Sequence, residues 1–423
     1  MKLFYLREYL RSSLWFIPAL CVVVVVVLAL VLIRLDRTIG SNFLFEGGPE
    51  GAQTLLATIS ASMITFTGLV FSITMVVLQL ASQQFSPRVL RTFLRDRHSQ
   101  LTLGVFVATF TYSLIVLREV HSSDAPGGEF VPGLAVGVAF ALVLLSLAFF
   151  VDYIHHISQS IRVGTITASI AAETREAISD IYDHEHTDEP VPLPSGVYVG
   201  TVPAPRSGVI TGLDRDRLVS LAKEAGVVVE VVPGIGDFVP YGAPLLRVHG
   251  GEPASSKAQS DEFLECVGLA HERTMAQDPA FGFRQLVDIA ERGLSPAVND
   301  PTTAVQCLDE IHDLLRRIGG RAFPSGQRFD ENGDLRLAFP VVSWEGYVSL
   351  AFDEIRHYGR ESIQIHRRMR SILRDLESAV PPDRKPPLRR QLRLLDAAAD
   401  RHLEDQADRV TAQQADEQGI GGS

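Results

Sequence analysis

"SASMITFTGLVFSITMVVLQLASQQ", residues 60–84, decides what kind of protein this is. The stretch is apolar enough to enter a bilayer, yet hydroxyls and amides interrupt it every few residues. A helix needs about 17 to 25 residues to cross about 30 Å of hydrocarbon. This one meets that length over 57–80, and so do 15–33, 101–117 and 130–151. The first of the four is too long for the apolar core of a secretory signal, and no small-residue cleavage site precedes Arg34. It is expected to remain as an anchor. The fold class that follows is a multi-pass α-helical membrane domain of four spans, over 1–155, with a cytoplasmic α+β region after it.

Helical residues step about 100° each, so positions seven apart nearly eclipse. Thr58, Ser62, Thr65, Ser72, Gln79 and Gln83 therefore share one face of the second span, and Ser60, Thr67 and Thr74 lie almost opposite. Two readings stay open. In one, the hydroxyls bond back to the carbonyl four residues earlier and small residues let neighbouring helices approach. In the other, the longer stripe lines a water-filled path with Gln79 and Gln83 at its cytoplasmic mouth, which makes its members pore-lining candidates. The fourth span carries Gly133-x-x-x-Gly137-x-x-x-Ala141, a small-residue ridge suited to a close crossing. At its inner end Asp152, His155 and His156 share a face, a carboxylate–imidazole group that is a candidate for a metal or a proton relay. An interfacial polar collar with Tyr153 is the alternative.

Charge gives the orientation. Lys2, Arg7 and Arg11 precede the first span and Arg88, Arg91, Arg95 and Arg97 lie between the second and third, whereas the opposite loops carry Arg34, Arg37 and Arg118. Both termini are expected in the cytoplasm, with the chain in the plasma (inner) membrane. Arg88, Arg91 and Arg95 fall on one side of a short amphipathic segment and are candidates for contact with anionic lipid.

Residues 1–157 hold 10 Lys+Arg against 9 Asp+Glu, and residues 158–423 hold 29 against 41, so the soluble part carries nearly all of the net charge of −11. Such an acidic surface repels phosphate backbones, and nucleic acid is not an expected partner. Cys21, Cys266 and Cys307 form no C-x-x-C pair and no disulfide framework, which fits a reducing cytoplasm.

Past the fourth span, Val163, Ile166, Ile170, Ala177 and Ile181 recur at helical spacing, so a helix is expected to continue from the membrane as a stalk before a Pro-rich linker, over 156–194. His184 and His186 are read as part of that charged linker. Residues 195–250 read as short strands between Gly/Pro turns, interrupted by a helix over 214–225 that Asp214 caps and Gly226 stops. "APRSGVI" and "GDFVPYGAPLLRV" resemble the half-barrels of biotinyl- and lipoyl-type domains. The one lysine of the stretch, Lys223, is helical, so no covalent biotin or lipoate is expected. Gly234-x-Gly236 lacks the third glycine of a dinucleotide fingerprint.

A helical cytoplasmic domain is expected over 260–405, with a strand at 335–342, a helix capped by Ser343, and a polar, disordered tail at 411–423. At its centre, "SPAVNDPTT" ends one helix near Gly293 and starts another with Asp300 as cap and Pro301 in the first turn. Ser295, Asn299, Asp300, Thr302 and Thr303 make this polar turn a candidate anion or ligand site. No G-x-S-x-G, Walker loop, H-E-x-x-H or Cys/His constellation is present, so neither an enzyme nor a cofactor is expected.

The stretches "FSITMVVLQLASQQFSPRVLRTFLRDR" after Val70 and "LVDIAERGLSPAVNDPTTAV" after Gln285 resemble the bacterial predicted integral membrane proteins grouped as domain-of-unknown-function family 2254. The resemblance implies four spans and a cytoplasmic region, without an activity. Two functions fit the pattern. One is an oligomeric channel or transport-related protein with a cytoplasmic regulatory region. The other is a membrane-tethered sensor or scaffold that binds a ligand or partner through that region.

Overall fold

The four apolar stretches become four long helices in the computed structural model, which describes residues 15–39, 45, 47–84, 96–121, 130–160, 162–182, 190–194, 199–250 and 257–420. These are α1 (Phe16–Ile39), α2 (Pro49–Gln84), α3 (Arg97–Glu119) and α4 (Gly133–Ser160). All four are long and apolar enough to cross a membrane. The chain divides into two units, Lys2–Arg162 and Val163–Ser423.

In the first unit α3 is central: half of its apolar window is buried, against 17–22% for the other three. Its small positions allow this. A Cβ added at Gly104 would lie 3.2 Å from the Pro18 backbone, so α1 and α3 approach closely there. Around α3 sit Leu56, Ile59 and Met63 of α2, Val25 and Ala29 of α1, and Ala135 and Ala139 of α4. Phe66 packs edge-on to both Phe106 and Phe150, which are tilted on each other. Some of the polar groups inside are joined across helices: Tyr112 Oη donates to the Ala135 carbonyl at 2.9 Å, and the Thr109 and Ser146 hydroxyls lie 3.0 Å apart. Asp36 does a job that no local pattern announces. Buried to 3% exposure, it accepts from the Leu134 and Ala135 amides at 3.2 and 3.0 Å and so caps α4 from α1. The expected small-residue ridge is buried at Gly133, half-buried at Gly137 and exposed at Ala141. The α4 positions in the core are instead Ala135, Val136 and Ala139, two residues along.

The second unit opens with α5 (Val163–Tyr182), followed by β1 (Val199–Pro203), β2 (Gly208–Leu213), α6 (Arg215–Glu224), β3 (Val228–Val231), β4 (Phe238–Val239) and β5 (Pro244–His249). Then come α7 (Lys257–Glu265), β6 (Val267–Ala270), α8 (Pro279–Gly293), α9 (Pro301–Gly319), β7 (Gln327–Phe329), β8 (Leu335–Ala338) and α10 (Trp344–Tyr358). The last helices are α11 (Ile363–Ala379), α12 (Lys385–His402) and α13 (Gln406–Ala412).

Three expectations are corrected here. The stalk is not continuous with the fourth span: α4 ends at Ser160, Arg162 is not helical, and α5 buries Ile166, Ile170, Thr174 and Ile178 against α8 and α9. An apolar stripe of that width needs a partner, and this one has it inside its own unit. The β-rich part is likewise not confined to 195–250. Its two sheets run β1-β5-β3-β8-β7 and β4-β2-β6, so later strands complete both, with β8 parallel to β3. Unpaired edges of β2 and β3 would leave ladder groups open, which the later strands close. Finally, the tail from 411 is not disordered over its described part. Asp416 is 2% exposed, and Arg368 of α11 donates to the carbonyls of Asp416 and Glu417. Polar composition misled because the segment is held by its backbone carbonyls.

Candidate functional site

On α2 the two faces separate as the spacing predicts. Ser60 is buried, and Thr74 donates to the Val70 carbonyl while its hydroxyl lies 2.8 Å from Tyr153 Oη of α4. Thr67 donates to the Met63 carbonyl. On the other face Thr58, Ser62 and Thr65 donate to the carbonyls of Thr54, Thr58 and Ala61 at 2.7 to 2.9 Å. Back-bonding of this kind lets a hydroxyl face an apolar medium. Ser72 and Gln79 are exposed on the same face. The Gln83 side chain and Arg88, Arg91 and Arg95 lie outside the described residues.

The structure turns His156 and Asp152 of the Asp152–His155–His156 group to partners at the start of α3. His156 Nε2 lies 3.0 Å from Asp96 Oδ1, and His98 Nδ1 lies 3.4 Å from Asp152 Oδ2. The two imidazoles stack with centroids 4.4 Å apart, while His155 is exposed. Among the described residues no three His, Cys, Asp or Glu side chains are placed to hold a metal ion. Each imidazole is turned to one carboxylate, which makes the group a polar clasp between α3 and α4. Asp96 also caps α3, accepting from the His98 and Ser99 amides. The spacing on α4 alone showed half of this clasp. The "DRH" run at 96–98 was its other half.

The "SPAVNDPTT" turn closes largely on itself. Asp300 accepts from the Thr303 amide at 3.2 Å and its hydroxyl at 2.6 Å, and the Ser295 hydroxyl donates to the Arg292 carbonyl at 2.7 Å. Gly293 lets the chain pass: an added Cβ would stand 3.0 Å from the Asp300 carbonyl oxygen. Asn299 holds φ +49°, a left-handed conformation that costs an ordinary L residue about 1–2 kcal/mol and that asparagine tolerates. Backbone geometry thus accounts for Asn299. An anion placed at the start of α9 would face the Asp300 carboxylate, which already accepts from the Thr303 amide and hydroxyl. Thr302 and Asn299 are exposed.

A cavity does form elsewhere in the second unit. The end of α5, the start of α6 and the 339–342 segment leading to α10 line a cleft with about 410 Å³ of free space, which includes open solvent. The Arg215 guanidinium lies 4.8 Å above the Phe339 ring. Burial pushes it down to about 10, and Arg328 nearby adds to this. Tyr182 and Tyr347 are hydrogen-bonded to each other, and burial raises both; Tyr182 reaches about 12 although Arg384 and Arg321 pull against it. Phe323 stands edge-on to Tyr182 at 5.2 Å with the Arg384 guanidinium 4.7 Å over its face. A second ionic group, on α8 and α10, joins Arg284 to Asp288, Glu291 and Glu354. Burial first, and a hydrogen bond with Glu354 second, raise Glu291 to about 7.

The model of the family described as Predicted membrane protein (DUF2254) matches residues 11–375. This chain belongs to that family. Uncharacterised proteins of Mycobacterium bovis and Mycobacterium tuberculosis are each 34% identical to it over 414 residues, 95% of this chain and 79% of theirs. No solved structure matches it. In this DUF2254 chain the family match takes in the four candidate spans, the "SPAVNDPTT" turn and the cleft, and stops within α11. Sequence reasoning missed the cleft because its walls come from positions as far apart as Ile181 and Tyr347. The one signal available was the run of apolar and proline residues at 339–342, which continues past the end of β8.

Proposed function

We propose that this membrane protein is an anchored sensor: the four-helix unit holds it in the bilayer and the second unit binds a small ligand in the Arg215 cleft. The observation that carries this reading is that cleft, a cavity with a half-enclosed guanidinium and two tyrosine hydroxyls among apolar walls. The back-bonded hydroxyls of α2 and the apolar interior around α3 support an anchoring role for the first unit. One observation favours the second reading, a channel built from several copies. Ser72 and Gln79 are exposed on a candidate span, and the Gln carboxamide cannot be closed by back-bonding as a hydroxyl can.

Ion flux separates the two. Sealed liposomes carrying the full chain should hold K⁺ and Cl⁻ gradients as long as protein-free liposomes do. Flux above that level that is reduced by Gln79→Leu would establish the channel and end the sensor reading.

The sensor faces the cytoplasm in this proposal, with both termini inside the inner membrane. With Cys21, Cys266 and Cys307 replaced by Ala, Gly48→Cys before α2 should react with an impermeant maleimide on intact cells, and Ser220→Cys on α6 should react after lysis only. Gly48 has open space around an added Cβ, and Ser220 is exposed, so neither label is blocked by packing. The reverse pattern would invert the orientation.

A further inference from the structure

Where α8 and α10 touch, ionisable groups meet whose charges do not balance. Arg284 places Nε 2.5 Å from Asp288 Oδ1 and Nη2 2.9 Å from Glu291 Oε1, while Nη1 donates to Glu354 of α10. Three carboxyl groups thus converge on one guanidinium. Glu291 and Glu354 sit on its two terminal nitrogens, which brings their own oxygens together, and the two side chains are hydrogen-bonded to each other. Such a bond needs a proton on one of them, because two carboxylates offer acceptors and no donor.

We propose that this cluster is a proton-sensitive latch: one proton shared by Glu291 and Glu354 closes α10 onto α8, and its loss as pH rises sets two anions against each other and loosens the contact. The latch goes beyond the sensor reading and does not depend on it. Asp288 and Glu291 are 13% and 19% exposed, so water spreads little of their charge. The charges acting on Glu291 are Arg284, which favours its anion, and Glu354 and Asp288, which oppose it. On the helices packed against α8, Arg175 of α5 pairs with Glu310 and Asp313 of α9, and Arg356 of α10 pairs with Asp353. Burial outweighs the guanidinium and raises Glu291 to about 7. A carboxyl raised in this way holds its proton more tightly folded than unfolded, so what the proton contributes is present at low pH and is lost as pH rises through that value. The latch and the cleft share one helix contact. Phe283 of α8 packs on Tyr347 of α10 with centroids 5.2 Å apart, and Tyr347 lines the cleft.

The test is urea unfolding of the full chain in micelles, followed through Trp344, at about pH 6 and about pH 8. Over that interval the natural chain should lose about five- to tenfold in its folding constant through this site, the fall set by a carboxyl held at about 7 when folded and at its ordinary value when unfolded. Glu291→Gln, whose carboxamide donates to Glu354 at any pH, should remove that fall, and Glu354→Gln should do the same. Glu354 is 47% exposed, so the second variant decides the matter if the first does not fold. Glu345→Gln makes the same change of charge on α10 at a surface pair with Arg390 and should keep the fall. Hydrogen exchange places the effect. At about pH 8 the buried Ala351 and Phe352 amides of α10 should exchange about fivefold or more faster in the natural chain than in Glu291→Gln, and at about pH 6 at the same rate. A fall with pH that is the same in the natural chain and either folded Gln variant, an equal flattening in Glu345→Gln, or exchange that does not differ at the higher pH would each overturn the latch. None of these outcomes touches the sensor reading, which falls to ion flux in liposomes.

Discussion

Gly282→Ala is expected to destabilise the second unit by about 1–3 kcal/mol, the usual cost of forcing extra carbon into a packed interior. The sign runs against helix propensity, since Ala in a helix interior is favoured over Gly by about 0.8–1.0 kcal/mol. Packing wins because Gly282 of α8 faces Thr174 of α5: an added Cβ would lie 2.9 Å from both Thr174 Cβ and Cγ2. Thr174 has nowhere to go. It is fully buried, donates to the Ile170 carbonyl at 2.6 Å and touches Met275 Sδ at 3.5 Å. Adding Thr174→Ala removes the γ atoms and should recover part of the loss, so the two changes are expected to be strongly non-additive. Urea unfolding of the full chain in micelles, followed through Trp344, measures the cycle. A neutral or stabilised Gly282→Ala would mean that α5 does not pack on α8, and would restore the free-standing stalk.

What the sequence showed of this fold and what it hid divide along one physical line. Local signals were legible. The apolar lengths located four helices, and Asp214, Asp300 and Ser343 cap α6, α9 and α10 as their spacing predicts. The two faces of α2 also followed from angle alone. Groups whose partner lies far along the chain were not legible. Asp36 finds the amides of α4 98 and 99 residues away, β3 finds β8 across three helices and four strands, and Asp152 finds His98 on another span. Nothing in a local pattern names such partners, because the helix and strand periods say which face is buried and not against what. The candidate site suffered most for this reason. Asn299 looked like surplus polarity in a turn and proves to be backbone geometry, while the cleft gathers side chains that no single motif contains.

The C-terminal segment provides the other large expected effect. Arg368→Met should cost about 1.5–3 kcal/mol, the range for hydrogen bonds made by a charged group, and should release residues 413–420. Arg368 is 9% exposed on α11, with Nε 2.7 Å from Asp309 Oδ1 and Nη1 donating to the Glu417 and Asp416 carbonyls at 2.7 and 3.3 Å. The segment is folded around that guanidinium. Asp416 Oδ1 accepts from the Gln418 and Gly419 amides, and Gln364 donates to the Gly419 carbonyl. Met keeps the length and apolar stem of the arginine, so the change removes the donors with little loss of volume. Hydrogen exchange at Gln418 and Gly419 should speed up by about tenfold or more, since tenfold corresponds to about 1.4 kcal/mol. Arg389→Met serves as the control, because Arg389 pairs with Glu377 on the surface and such pairs contribute about 0–1 kcal/mol. Exchange at Gln418 and Gly419 that is the same in both variants would show that Arg368 does not hold the segment. The fold would then owe its closure there to Asp416 and Val305, against which Gly419 packs closely enough that an added Cβ would stand 2.8 Å from Val305 Cγ1.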